Sequence, residues 1–341
     1  MTVHDIMAAR LAGSRLVDPE KDVNLLLKEL CGVQAQYFSN AEHSVFIRSG
    51  VRNGDFSDFA VKTWTLRGTA HLVSREDLPL YMGKDCRSTD FSKESFWNTR
   101  DYWSLSPERQ EYFSGLIIDA LERKVMSREE LKTLCREKGM TPEEENCMFH
   151  PWGGGIRELC ERGFIAYVPC EKKLFCALGE YRPVEDALRV LAERYFRAYG
   201  PAKLTDAARF LGTTVAKVKA AVSESELCEC GGMYYAGSVL PSGGDIPPVL
   251  FLAGFDPIML GVAKENNPFL PEEHVRGIFT LSGTVNPAVV LHGRTVGRWK
   301  KKGKSLNVGL FEDITREDER LTLGSAEALW QEELSLSCER L

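Results

Sequence analysis

The chain lacks any apolar run able to cross a bilayer. Its longest runs, such as Val249-Leu250-Phe251-Leu252-Ala253, fall far short of the ~20 residues that a spanning helix needs. No early segment joins a basic start to an apolar core, so neither a signal peptide nor a membrane partner is expected. Also missing are a phosphate-cradling glycine loop, a nucleophile elbow and paired carboxylates at useful spacing. The ten cysteines make no zinc pattern. Cys228-x-Cys230 and the set Cys147, His150, Cys160, Cys170 and Cys176 match no standard ligand spacing, so no metal and no other cofactor is expected. A chain of 341 residues does not need disulfides, and the scattered thiols read as reduced, in a cytoplasmic protein. The net charge of -6 argues against a protein that coats DNA indiscriminately, yet it leaves room for a local basic footprint.

At 43% hydrophobic and 27% charged residues, the composition is globular, and the length allows two or more cores. The stretch that stands out is Gly32-Val33-Gln34-Ala35-Gln36-Tyr37, which follows the helix-patterned Val23, Leu26, Leu27 and Leu30. Gly32 sits where a helix C-terminal glycine belongs. Glutamines two residues apart share a face only in extended chain, where side chains alternate with period two. There they aim two neutral amides at one spot, each with an acceptor and donors, and can hold a water without carrying charge. The same spacing is met by plain surface glutamines just past a helix end.

Further along, the pattern repeats one order of elements: helices, then a small hairpin. Helices are expected at 4–12, 41–47, 56–62 and 77–82, with two short strands within 63–73 around Arg67-Gly68-Thr69. A second round places helices at 111–123, 131–138 and 151–162, the middle one opened by the capping box Ser127-Arg128-Glu129-Glu130, and a hairpin at 164–168 and 174–178. A third runs through helices at 184–199, 203–212 and 213–222, with a tight turn at Gly212, to a hairpin at 227–236 around Gly231-Gly232. A linker rich in Gly, Ser and Pro is expected at 241–248. Strands follow at 249–252, 277–281, 288–291, 295–299 and 305–310, then a helix at 317–334. The expected class is α+β: three tandem winged-helix (helix-turn-helix) units and a C-terminal antiparallel β-barrel-like domain. The expected divisions are 1–105, 106–182, 183–247 and 248–341.

Between Glu273 and Glu312 no acidic residue occurs, while Arg276, Arg294, Arg298, Lys300, Lys301, Lys302 and Lys304 do, with Trp299 interleaved. Such a hairpin either contacts phosphates or is a solvated loop. Arg67 at the turn of the first hairpin either reaches a phosphate or faces water. His71, on one strand face with Thr69, is a second DNA-contact candidate or a structural histidine. Asp256-Pro257 reads as an Asx-type turn.

Four stretches in this order carry a resemblance: Gly32 to Gln36, Thr63 to Val73, Ala253 to Gly261 and Leu291 to Trp299. Together they resemble the AlkZ/YcaQ family of bacterial DNA glycosylases. The resemblance implies tandem winged helices around a DNA channel and excision of N-alkylated purines, interstrand crosslinks included. It makes Gln34 and Gln36 the catalytic pair, in the Gln-x-Gln branch tied to antibiotic self-resistance, and double-stranded DNA the partner of a monomeric enzyme. The chain departs from the family at 262–266, where a basic or aromatic residue is common. The competing reading is a non-enzymatic winged-helix DNA binder or transcription regulator. Against it, the third unit's second helix offers Lys217 and Lys219 but no Arg, Asn or Gln to read bases.

Overall fold

The structure is a computed structural model and describes residues 1–65, 67–82, 86–91, 105–151, 154–182, 184–237 and 244–341. Most of the aromatic stretch at 91–103 and the start of the expected 241–248 linker lie outside these residues.

Helix α1 (Val3–Gly13) opens on a capping box between Thr2 and Asp5. Helix α2 (Val23–Glu29) is capped by Asp22, whose carboxylate accepts from the backbone N–H groups of Asn24 and Leu25. Cys31 and Gly32 then both take positive φ, 55° and 77°, and the Gly32 N–H returns to the Leu27 carbonyl. That ends the helix and turns the chain into the short strand β1 (Val33–Gln34), ahead of α3 (Phe38–Ser49). The first expected hairpin forms as β2 (Ala60–Trp64) and β3 (Ala70–Ser74), followed by α4 (Leu78–Tyr81). The helix expected at 56–62 does not form. A turn leads straight into β2, whose residues 60–63 are all buried, as suits a strand paired on both edges and covered on both faces.

Next come α5 (Pro107–Arg123), with Pro in its first turn, β4 (Met126–Ser127), α6 (Arg128–Glu137) on its Ser127/Glu130 capping box, α7 (Pro142–Met148) and α8 (Gly154–Glu161). Strands β5 (Ile165–Tyr167) and β6 (Leu174–Ala177) close that round. The third consists of α9 (Ala187–Tyr199), α10 (Leu204–Phe210), α11 (Val215–Ala221) and the hairpin β7 (Leu227–Cys230) and β8 (Met233–Ala236). The remainder is β9 (Val249–Leu252), α12 (Pro257–Leu260), α13 (Val275–Ile278), β10 (Ala288–Leu291), β11 (Arg294–Lys302), β12 (Ser305–Leu310), α14 (Arg316–Trp330) and β13 (Ser335–Arg340).

These elements gather into two compact units: Met1–Gln34 with Ser39–Gly54 and Leu191–Leu341, and Ala35–Phe38 with Asp55–Val190. In the second unit strands run in the order β3-β2-β5-β6-β4, each neighbour antiparallel. Its helices bury Phe113, Ile117, Leu131, Leu159, Ile165 and Phe175 in one core. Arg162 donates to Glu158 at 2.6 and 2.9 Å and the Gln110 amide donates to the other oxygen at 2.8 Å, so that buried carboxylate is satisfied.

In the first unit the strands run β13-β12-β11-β10-β9 as an open sheet, which corrects the barrel-like expectation. The reason lies at the C-terminus. Helix α14 packs through Ala326 on the sheet face formed by Phe251, Val289, Val296 and Val308, and β13 then adds in parallel beside β12. Strands β9 and β13 thus remain separate edges. The strand expected at 277–281 is also corrected. The Phe279 N–H closes a helical turn on the Val275 carbonyl, and pairing resumes only as a single bridge between Phe279 and Val285.

Candidate active site and nucleic-acid interface

The glutamine segment is extended only at its start: Val33–Gln34 is strand β1, and the chain bends at Gln36 towards α3, which corrects the expectation of extended chain through both glutamines. Val33 and Ala35 are fully buried, while Gln34 between them is half-buried and Gln36 is exposed. The Ala35 N–H donates to the Ala70 carbonyl at 2.8 Å, which fixes the peptide between the two glutamines. Among the described residues neither amide has a protein hydrogen-bond partner. Both therefore keep a carbonyl oxygen and an NH2 group available. Glu42, the nearest carboxylate in sequence, lies within α3 and is half-buried.

The turn of the first hairpin is tight. The Gly68 N–H donates to the Thr65 carbonyl at 2.9 Å, and Gly68 holds φ at 74°. Arg67 is half-buried on this turn. His71 is fully buried, so it is not placed to touch a phosphate. Its Nδ1 lies 2.8 Å from the Thr69 carbonyl, so that nitrogen carries the hydrogen, and Thr65 Oγ1 is 3.2 Å away. Burial, helped by the nearby Arg67 charge, holds its pKa well below the usual imidazole value. His71 is a neutral ring that pins the turn.

The basic run divides by strand alternation. On β11, Arg298, Lys300 and Lys302 are exposed on one face, with Lys304 exposed at the turn beyond them. Lys301 points the other way: its Nζ is 2.7 Å from Glu332 and from the Gly303 carbonyl and lies over the Trp330 ring at 5.7 Å. Arg294, though exposed, is claimed by Glu312 at 2.9 Å and Glu273 at 2.8 Å, the two acids that bound the acid-free stretch. These hydrogen bonds raise its pKa and lower that of Glu312, while Glu273 is lowered first by a backbone hydrogen bond and then by Arg294. Lys301 and Arg294 are thus engaged within the protein, and Arg276, Arg298, Lys300, Lys302 and Lys304 are the other cations of the run, all exposed.

The strand is held by an aromatic cluster in which Trp299 was flagged by the sequence and its partners His43 and Trp330 were not. Trp299 Nε1 donates to the Leu252 carbonyl at 2.8 Å, and its ring stands 4.9 Å from His43 and 5.4 Å from Trp330. The alternation of Trp299 with Arg298 and Lys300 was the available signal. A second unflagged pair, Arg48 and Asp256, had only the Asp-Pro turn to point to it. The Asp256 carboxylate does accept from the Ile258 N–H at 3.0 Å, as an Asx-type turn should. It also takes two hydrogen bonds from Arg48 and one from Ser44 Oγ.

Comparison with known proteins gives this arrangement a lineage. A family model described as DNA glycosylase AlkZ-like matches residues 27–332. The interstrand DNA cross-link repair glycosylase of Streptomyces sahachiroi is 27% identical over 316 residues, 84% of this chain and 84% of that protein. The solved structure of Streptomyces sahachiroi DNA glycosylase AlkZ superposes with a TM-score of 0.77 at 23% identity, over 99% of each chain, and so shares the fold. With the match running through nearly all of its length, the chain belongs to the family of AlkZ-like DNA glycosylases.

Proposed function

We propose that this enzyme hydrolyses the N-glycosidic bond of purines made cationic by alkylation at N7 or N3, in duplex DNA and in interstrand crosslinks, using a water held by Gln34 and Gln36. The observation that carries the reading is the Gln34-Ala35-Gln36 segment where the chain leaves β1, with its peptide fixed at Ala35 and both amides unengaged among the described residues. The two carbonyl oxygens accept the water's hydrogens and orient its lone pair towards C1′. Their dipoles favour the positive charge that develops on the sugar. The C1′–N bond electrons leave with the alkylated base, which departs neutral. The water oxygen bonds to C1′ and one proton passes to solvent. No acid is needed, because the leaving group carries its own charge, and glutamine supplies none.

Arg298, Lys300, Lys302 and Lys304, all exposed, supply backbone contacts, with Arg67 on the turn of the first hairpin as a further one. The three rounds of helices and hairpin fit tandem winged-helix units over 1–105, 106–182 and 183–247, with 248–341 as the sheet-rich part. Extension to crosslinks rests on the relative named for their repair.

The experiment is incubation with a duplex carrying one N7-alkylguanine, scored for abasic sites, beside duplexes carrying uracil or 8-oxoguanine. Release of the alkylated base alone is expected. Since every ~1.4 kcal/mol of barrier is tenfold in rate, a neutral base that needs protonation falls far behind. Efficient uracil release would show that a protein acid does the work and sink the glutamine mechanism.

A further inference from the structure

Between Glu29 and Glu42 the chain carries no aspartate, glutamate, lysine, arginine or histidine. A purine cation brought to Gln34 and Gln36 therefore finds no carboxylate in this stretch to answer its charge. It does find a ring. Tyr37, directly after Gln36, is 55% exposed, the most exposed aromatic side chain among the described residues. An exposed tyrosine on a loose loop is ordinary. Here the chain is fixed on both sides. The Ala35 N–H donates to the Ala70 carbonyl at 2.8 Å. Phe38 is 4% exposed, its ring centroid lies 6.4 Å from that of Phe56, and Lys62 Nζ stands 5.9 Å from its centre.

The chain bends at Gln36 and Tyr37, and both side chains are exposed between those two buried anchors. Successive Cα atoms are about 3.8 Å apart, so the ring lies within a base's width of the spot that the Gln36 amide serves. The face of an aromatic ring is negative, and a ligand cation over it is attracted. A neutral base of the same shape gains the stacking but not the charge attraction. A ring also draws a cation without repelling the neighbouring phosphates, as a carboxylate would.

We propose that Tyr37 is a specificity-determining residue whose ring face packs on the cationic alkylpurine and selects charged lesions from neutral bases. The role rests on the excision reading above. The attraction belongs to the bound lesion. As the C1′–N bond breaks, the base becomes neutral and the positive charge moves to the sugar. The ring therefore tightens binding of the charged lesion, and the two amides act on the transition state.

The test measures binding without excision. One duplex carries N7-methylguanine on a 2′-fluoro sugar, which keeps the charge and resists hydrolysis. The other carries 7-methyl-7-deazaguanine, which has the same shape and no charge. Wild type is expected to bind the charged duplex about fivefold to tenfold more tightly. Tyr37→Leu and Tyr37→Ala, which remove the ring, are expected to bind both duplexes alike, while Tyr37→Phe and Tyr37→Trp keep the preference. In single-turnover release of N7-methylguanine, Tyr37→Leu should raise the half-saturating concentration fivefold to tenfold, with a far smaller effect on the saturating rate than the loss of either glutamine. Equal affinities in wild type, or a preference that survives in Tyr37→Leu, overturns the assignment. So does a loss confined to the saturating rate, which would put the ring at the sugar. Absence of base release by wild type, with the ring-dependent preference intact, overturns the excision reading and leaves Tyr37 as a reader of charged bases.

Discussion

The Arg48 guanidinium donates to the Asp256 carboxylate at 2.6 and 3.0 Å, and both side chains are completely shut off from solvent. The pair is complete on both sides. Arg48 also donates to the Ser14 and Ser44 carbonyls, and Asp256 also accepts from Ser44 Oγ and the Ile258 N–H. Such a pair stabilises little over an apolar replacement, but removing one partner strands a buried charge. It ties α3 to the turn after β9, so the helix that follows the glutamine segment is fixed through its last turns.

Asp256→Ala and Arg48→Ala are each expected to cost about 3–5 kcal/mol of unfolding free energy, read by urea denaturation. The double substitution Arg48→Met, Asp256→Leu should recover a large part of that loss. Equal damage in the single and double variants would mean that packing volume, not charge, sets the cost.

Gln34→Ala and Gln36→Ala should each lower single-turnover excision about a hundredfold, the usual loss for one well-placed polar group in a transition state. Neither side chain has a protein partner among the described residues, so stability should stay within about 0.5 kcal/mol and DNA affinity should hold. A folded double variant with the wild-type rate would remove both residues from the chemistry.

The two faces of β11 predict a divided response to charge neutralisation. Lys300→Ala and Lys302→Ala should weaken binding to every DNA sequence alike, and the log-log salt slope should shrink by about 0.9 for each phosphate that is no longer neutralised. Lys301→Ala, which gives up Glu332 and the Trp330 ring, should instead lower the melting temperature and leave the salt slope almost unchanged. A smaller slope from Lys301→Ala alone would assign that side chain to DNA.

Acid should destabilise the protein without changing its chemistry. Burial holds the pKa of His71 well below, and that of His43 below, the ordinary imidazole value. In the unfolded chain both rings take up a proton near pH ~6.5, and the folded chain refuses it. The unfolded state therefore binds more protons below that pH. The stability is fully present above ~6.5 and is lost as pH falls, at up to about 1.4 kcal/mol per pH unit for each ring. Urea denaturation between mildly acidic and neutral pH should show the slope, and His71→Gln should reduce it. Single-turnover excision at saturating DNA should stay nearly flat over the same range, since no titrating group acts in the proposed step. A rate that follows a carboxylate-like titration would contradict this.

What could be read from sequence was whatever depends on neighbours along the chain. The continuous apolar runs at 249–252 and 288–291 and the alternating run at 305–310 are β9, β10 and β12 residue for residue. The glycine pair Gly231-Gly232 marks the β7–β8 turn, both at positive φ. Gly32 ends its helix and Gln34 lies in the strand β1, though the chain already bends at Gln36. What depends on distant partners was hidden. Arg48 and Asp256 are 208 positions apart, and no local pattern pairs them. Strand β13 is too polar to announce itself and exists because β12 offers it an edge. His71 was a phosphate-contact candidate because it follows a turn that carries Arg67; the full burial of β3 depends on packing that the local pattern does not show.

The alternation along β11 also limits how this protein can change over evolutionary time. Arg298, Lys300 and Lys302 face outward because Trp299 and Lys301 face the Trp330 side, and one added or deleted residue would exchange the two sets. The tryptophan would then be turned into water and the cations into the aromatic cluster. Length variants of this hairpin that still fold should therefore differ by even numbers of residues, unless a bulge absorbs the odd one. Point substitutions at the outward positions carry no such restriction, so relatives are free to change the charge of that face one side chain at a time while the parity of the strand stays fixed.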